Sequence, residues 1–371
     1  MKLSWMFAAG IALGLALPAQ ARVEDQLDFD GARRHDVRVV LQPEQNFVPA
    51  SEDVRLLVTF ENAGRAPIAL AKWFVPGDEF DHPVFEVLRD GQPVEFMGPL
   101  VKRAEPTADD VLWLLPGEQM TVAVELSGSY DLSAGGEYSI RYRAASANLF
   151  GPGQGRVEVL ASAEVSIAVE GRQYSNVRAL AGDGYKAKPG GGGGGGSGAG
   201  VEFSGRCSAA QQSTLLSSVS AASTMSGDAK NYLSTTTPGA TSRYTTWFGA
   251  YTNARWNLAK EHFVAIKGAF DGQTVTLDCS CKKSYYAYVY PTQPYKIYVC
   301  NAFWTAPLTG TDSKGGTLVH EMSHFNVTAG TDDWAYGQSA AKSLASSDPI
   351  KALDNADNHE YFSENTPQSP N

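Results

Sequence analysis

Apolar and polar residues alternate with a period of two along several short runs in the first half of the chain. These runs are 37–41, 54–60, 84–88, 93–96, 120–126, 138–142 and 157–169. A period of two places every second side chain on one face of an extended strand. Asp90-Gly91 separates the third and fourth runs and is a two-residue hairpin signal. Short strands with recurrent turn residues predict an all-β sandwich of immunoglobulin type over residues 22–185.

The second half has a different pattern. Residues 207–225 are rich in Ser, Ala and Leu and are expected to be helical, as are 244–270 and 338–344. Trp247, Tyr251, Trp256 and Phe263 are expected to pack a core. Residues 274–278 and 285–299 alternate as strands do, so this half is predicted to be α+β. The tract 189–200 is almost entirely glycine and carries no fold of its own, which marks a boundary. No strand signal leads into it and no Gly-Lys-Ser/Thr comes after it, so it is not a phosphate loop.

Composition adds a compartment and removes a class of partner. A chain of 371 residues with 43% hydrophobic content has material for two or more packed domains. The net charge of −10, with no basic patch interleaved with aromatics, argues against nucleic acid. Residues 201–371 hold 12 basic and 14 acidic side chains, so most of the acidic excess lies earlier. Residues 1–21 read as a secretory leader, with Lys2, an apolar stretch and Ala19-Gln20-Ala21 as the cleavage site. The apolar stretch is shorter than the ~20 residues a membrane span needs, so the chain is expected to be exported and free of membrane. Four cysteines, Cys207, Cys279, Cys281 and Cys300, then favour two disulfides. Cys279 and Cys281 are too close in sequence to pair easily with each other, and the pairing is otherwise open.

The chemistry concentrates after residue 317. His320-Glu321-Met322-Ser323-His324 is a H-E-x-x-H motif. On a helix its two histidines share one face and can hold one metal ion, while Glu321 stands beside a metal-activated water. Thr317 is expected to cap that helix. Zinc in a catalytic site takes three protein ligands. None of the six histidines lies six residues after His324, where Gly330 stands, so a metzincin ligand set is excluded. The chain continues instead with Gly330-Thr331-Asp332-Asp333-Trp334-Ala335-Tyr336-Gly337, a G-T-x-D-x-x-Y-G pattern.

Together the two motifs resemble those of the aspzincins, the deuterolysin and peptidyl-Lys metalloendopeptidase family, over most of residues 203–366. The resemblance implies a zincin-like domain binding one Zn2+ per chain through His320, His324 and Asp333. It implies Glu321 as the catalytic base and Tyr336 as the group that stabilises the oxyanion. Both assignments suit the chemistry, since carboxylate oxygen ligates zinc and a phenol can donate to developing negative charge. The resemblance also favours disulfides Cys207–Cys279 and Cys281–Cys300. Asp357 and Glu360 are three apart and share a helix face. By the same resemblance they line an S1′ pocket that selects lysine. The competing ligand set, with Glu360 or Glu364 as third ligand, leaves Asp333 unexplained. His35 and His82 are read as surface or structural residues, and His262 and His359 as structural residues and not ligands.

These readings combine into a secreted, monomeric preproenzyme. Its parts are a leader at 1–21, a β-sandwich propeptide at 22–185, a Gly-rich linker at 186–200 and a zinc metalloendopeptidase domain at 201–371. Its partners are protein or peptide substrates and its own propeptide, acting as an intramolecular inhibitor. Lys72 and Lys102 are both available to fill the lysine pocket. Residues 284–290 could offer an edge to an extended substrate. Cleavage before Lys186 or Lys188 would release the enzyme. The alternatives are a broader deuterolysin-like protease without strict lysine preference, and a non-catalytic β-sandwich binding protein with a metal domain.

Overall fold

A computed structural model describes residues 36–77, 80–152, 156–177 and 200–369. The leader, His35, residues 189–199 of the glycine tract, Lys186 and Lys188 lie outside the described residues.

Strands β1 (Val37–Pro43), β2 (Phe47–Val48), β3 (Arg55–Asn62), β4 (Ile68–Ala71), β5 (Phe85–Arg89), β6 (Gln92–Pro93), β7 (Leu100–Lys102), β8 (Val111–Leu114), β9 (Gln119–Glu125), β10 (Gly136–Ser146), β11 (Glu158–Ala161) and β12 (Val165–Val169) come in that order along the chain. One sheet runs β1-β3-β9 and a second β2-β12-β10-β5-β6, while β4 pairs β8. The alternation that predicted strands is the burial pattern observed. In β3, Leu56, Val58 and Phe60 face inward at every second position. Tyr130 and Tyr142 are buried with their hydroxyls satisfied, donating to the carbonyls of Phe85 and Phe74. Asp90 and Gly91 both have positive φ, as the predicted hairpin turn requires. The expected strand at 93–96 is reduced to β6.

The C-terminal part adds β13 (Val201–Ser204), β14 (Val275–Asp278), β15 (Ala287–Val289) and β16 (Lys296–Val299). Its helices are α1 (Ala209–Thr235), α2 (Ser242–Phe248), α3 (Asn253–Gly272), α4 (Asn301–Thr305), α5 (Lys314–His324), α6 (Gln338–Ser347), α7 (Pro349–Leu353) and α8 (Ala356–Glu364). The sheet order is β13-β14-β16-β15-β7, so its last strand comes from the N-terminal part. Each part has its own core. The main one of each draws only on residues between 37 and 169 or only on residues from 201 onward, and a smaller cluster packs Ala147 against Ala335, Ala340, Leu344, Ala345 and Ala352. Cys207–Cys279 and Cys281–Cys300 are both closed, and both lie within the C-terminal part.

Three expectations change. The helix expected at 207–225 runs to Thr235. The helix expected over 244–270 is two helices, broken at Gly249, which has φ 71. A Cβ there would lie 1.9 Å from the Ala345 carbonyl oxygen, so close packing against α6 requires the glycine. The alternating stretch 285–299 is two strands, separated by a turn that ends at Tyr295 with φ 69. Trp247, Trp256 and Phe263 are core residues as expected, and Tyr251 packs at the core margin. Among the described residues no helix is long and apolar enough to cross a membrane.

Candidate active site

Helix α5 carries the H-E-x-x-H motif and is buried along its whole length. Its cap is Ser313, not Thr317: Ser313 Oγ accepts from the Gly316 amide at 2.9 Å, and Thr317 lies inside the first turns. Gly315 and Gly316 sit within the helix because neighbours press on it. A Cβ on Gly315 would meet Met225 and Ala221 of α1, and one on Gly316 would meet Glu364 and Glu360 of α8.

The helical spacing brings His320 Nε2 and His324 Nε2 to 3.0 Å. After His324 the chain turns back through Gly330, which has φ 61. Thr331 fixes the return: its amide donates to the Ser323 carbonyl and its hydroxyl pairs with Ser323 Oγ. Asp333 Oδ1 thereby stands 3.3 Å from His320 Nε2 and 3.6 Å from His324 Nε2. The loop is pinned to the start of α8, since Asn355 Oδ1 accepts from the Trp334 and Ala335 amides.

These three side chains fit a metal ion. Their donor atoms lie within 4.8 Å of one another, and all three residues are buried. Among the described residues Asp333 Oδ1 makes no well-aligned hydrogen bond, and its nearest polar neighbours are the two histidine nitrogens. His324 Nδ1 faces the Thr331 carbonyl at 2.6 Å and His320 Nδ1 faces Asp357 Oδ1 at 2.9 Å. With the His324 Nδ1 held there and the His320 Nδ1 turned toward a carboxylate, both Nε2 atoms face the same spot as Asp333 Oδ1. Two nitrogens and one oxygen form a donor set that zinc accepts. Burial lowers His324 to about 4, favouring the neutral ligand form. Burial opposes charge on His320 as well, but hydrogen bonding and attraction to Asp333, helped by Asp357 and Glu360, raise it well above its ordinary value.

The competing ligand set does not converge in this way. Glu360 approaches His320 on its Nδ1 side at 3.4 Å. Glu364 is turned to Ser313, accepting from its amide at 2.8 Å and its hydroxyl at 2.7 Å.

Glu321 is buried beside the histidines, with Oε2 unpartnered. Burial raises its carboxyl to about 8, against the opposing influence of His320. Tyr336 is also buried, and its hydroxyl has no hydrogen-bond partner among the described residues. Its ring meets Trp73 edge-on at 5.8 Å. Burial, reinforced by Asp333, raises its hydroxyl well above the ordinary value.

Asp357 and Glu360 do share one face of α8, and that face holds a lysine. Lys102 Nζ lies 2.9 Å from Asp357 Oδ1, 2.9 Å from Glu360 Oε2 and 3.0 Å from Asp312 Oδ1. Lys72, the other candidate, instead donates to the Asp109 carbonyl. Burial resists charge on Lys102, but Asp357 and Glu360 more than compensate and raise its pKa well above the ordinary value. Asp357 is held below the usual carboxylate value: burial opposes this, and Lys102 and His320 outweigh it. Burial raises Glu360 despite Lys102.

The segment around Lys102 lies as an added strand. Leu100, Val101 and Lys102 pair antiparallel with Val289, Tyr288 and Ala287, within the stretch expected to offer an edge. The Val101 amide donates to Asp333 Oδ2 at 3.2 Å and the Lys102 amide to Glu321 Oε1 at 3.3 Å. Arg103 pairs with Asp81 at 2.6 Å, its guanidinium over the rings of Trp73 and Tyr285. A second grip lies on the G-T-x-D-x-x-Y-G loop. Asn148 Oδ1 accepts from the Tyr336 amide, and Ser146 Oγ donates to the Trp334 carbonyl.

Of the two readings of His82 the structural one holds: it is buried, 4.7 Å from the Phe74 ring. His262 and His359 pair through Nδ1 and Nε2 at 2.9 Å, away from the donor triad, in a structural role. Sequence reasoning misses Asp312 and the bracing role of Thr331. No local signal marks Asp312, since only the fold brings its turn to α8.

Residues 233–364 match the family model Aspzincin_M35, described as lysine-specific metallo-endopeptidase. An extracellular protease of Aeromonas hydrophila is 48% identical over 318 residues, covering 86% of this chain and 90% of that protein. A peptidyl-Lys metalloendopeptidase of Armillaria mellea is 37% identical over 325 residues, covering 85% and 88%. Among solved structures, a zinc peptidase from Grifola frondosa is 50% identical. It covers 44% of this chain and all of that one, with a TM-score of 0.43.

Proposed function

The chain belongs to the aspzincin family and is a metalloendopeptidase, and from that premise we propose that it cleaves peptide bonds on the amino side of lysine. In this reading it is secreted as a preproenzyme, with a leader at 1–21, a propeptide at 22–185 and a linker at 186–200. One zinc ion is held by His320, His324 and Asp333. The propeptide inhibits the enzyme by placing Lys102 in its specificity pocket.

The observation that carries this reading is Lys102 itself. Its ammonium is enclosed by carboxylates while its backbone nitrogen stands 3.3 Å from Glu321. A substrate held in the same way has lysine after the scissile bond and its leaving nitrogen beside an acid. Zinc, when bound, supplies Lewis-acid polarisation of the scissile carbonyl and of a water molecule. Glu321 Oε2, with no other partner, takes a proton from that water, and the carboxyl then delivers it to the leaving nitrogen. The Tyr336 hydroxyl, also without a partner, donates to the oxygen that gains negative charge. The β15 edge holds the substrate backbone extended, as it holds residues 100–102.

Peptides that differ only in having Lys, Arg or Ala after the scissile bond test this. Chelator-sensitive hydrolysis of the lysine peptide, with Arg a weak second, is expected from the processed enzyme. Equal rates on all three would contradict the lysine pocket, and hydrolysis indifferent to the chelator would contradict the metal.

A further inference from the structure

We propose that Asp312 is a third specificity carboxylate of the lysine pocket and the hydrogen-bond partner that Glu360 does not provide. The inference rests on the lysine reading of the pocket and refines it.

The geometry around Lys102 Nζ is uneven. Asp357 Oδ1 and Asp312 Oδ1 both accept hydrogen bonds from it, at 2.9 and 3.0 Å. Glu360 Oε2 is equally near at 2.9 Å but has no aligned hydrogen bond, so it acts on the ammonium through charge alone. Asp357 is also shared. Its Oδ1 faces His320 Nδ1 at 2.9 Å and its Oδ2 accepts from the Gly337 amide at 2.7 Å. Asp312 has no such second duty toward the metal helix. Its other contact is the Tyr361 hydroxyl, which donates to the same Oδ1 at 2.8 Å and fixes its direction.

Its position fits a selecting role. Asp357 and Glu360 form the sealed floor, whereas Asp312 is 28% exposed at the mouth. The rings of Tyr361 and Tyr286 stand 5.1 and 5.8 Å from Nζ. An ammonium is a compact charge with three donors and suits carboxylates at three corners, whereas a guanidinium is a planar fork. Asp312 therefore favours lysine over arginine. Asp312 adopts φ 50, in the turn just before α5. Asparagine tolerates that backbone conformation as well as aspartate does, so Asp312→Asn removes the charge and keeps the turn.

Two measurements test the inference. In the full chain, unfolding constants are compared for Lys102→Met, Asp312→Asn and the double variant, a comparison that needs no catalysis. The single effects should fail to multiply by about tenfold. In the processed enzyme, whose main core and both disulfides lie within it, Asp312→Asn should raise KM for lysine peptides about tenfold or more, with kcat little changed. The preference for lysine over arginine should fall with it, a change that a purely structural role would not produce. A wild type that prefers lysine, with Asp312→Asn leaving that preference intact and the cycle multiplicative, overturns the inference while the lysine reading stands. A wild type with no lysine preference removes the reading and the inference together.

Discussion

Asp357 Oδ1 stands 2.9 Å from Lys102 Nζ and 2.9 Å from His320 Nδ1, so one carboxylate oxygen joins the lysine pocket to the metal helix. All three side chains are sealed from solvent. A buried ammonium is costly unless paired, and a histidine that ligates a metal needs its second nitrogen held. Asp357 pairs the ammonium and puts its charge beside His320 Nδ1, which couples what fills the pocket to the charge next to His320.

Removing the lysine should loosen the full chain. Lys102→Met leaves Asp357 and Glu360 facing each other with no cation between them. Breaking a buried pair from one side costs about 3–5 kcal/mol. Urea unfolding should show a loss of that order, and the unprocessed chain should gain peptidase activity. An equally stable and equally silent variant would show that Lys102 does not hold the pocket shut.

Asp357→Asn should weaken the metal as well as the pocket. The amide keeps the shape but removes the negative charge that lies 2.9 Å from His320 Nδ1. Substitutions of such supporting groups cost about 10–100-fold in metal affinity. Competition with a chromogenic chelator measures this directly. Unchanged affinity would place Asp357 in the pocket alone.

Glu321→Gln should separate catalysis from metal binding. General acid–base groups contribute about 100- to 10,000-fold, so turnover should fall by that factor while metal content stays at the wild-type level. Tyr336→Phe should lower kcat by about 100-fold or more with little change in KM, because its donor acts on charge formed during the reaction. Asp333→Ala should lose the metal itself.

Acid, not alkali, should weaken the lysine–carboxylate cluster. Asp357 and Asp333 are held below their ordinary value of 3.8, so the stability they contribute is present above it and fades as pH falls through their lowered values. Glu360 is shifted upward by burial, takes its proton first and offsets part of that loss. Lys102 is held above 10.5, so its contribution is complete below that value and is lost only as pH rises beyond its raised pKa. The stability that Lys102 adds, read as the difference between the wild type and Lys102→Met, should therefore shrink in acid and hold through mildly alkaline pH, even though Glu321, raised to about 8, weakens the chain as a whole as pH rises. A difference that vanishes near pH 9 would contradict the buried lysine–carboxylate cluster.

The features legible in the sequence are those that depend on local spacing. His320 and His324 are one helical turn apart, Asp333 comes within a short loop of them, and Asp357 and Glu360 share a helix face. Strand alternation in the first half is equally plain. Contacts made in three dimensions are not. Gly315 and Gly316 suggest a helix beginning after them, whereas they admit α1 and α8 to the surface of α5. Gly249 ends a helix because the Ala345 carbonyl needs its space. A strand as short as β7 has no period to detect, and nothing local distinguishes Lys102 from Lys72. Asp312 reaches the pocket only because its turn is carried there between α4 and α5.

The most direct test is to map cleavage sites. The processed enzyme is incubated with an unfolded protein mixture, with and without a zinc chelator, beside a Glu321→Gln control, and the new N-termini are read by mass spectrometry. New termini that are nearly all lysine, absent with the chelator and in the control, are the predicted result. Chelator-sensitive termini spread over many residue types would leave a metallopeptidase whose acidic pocket does not choose its substrate.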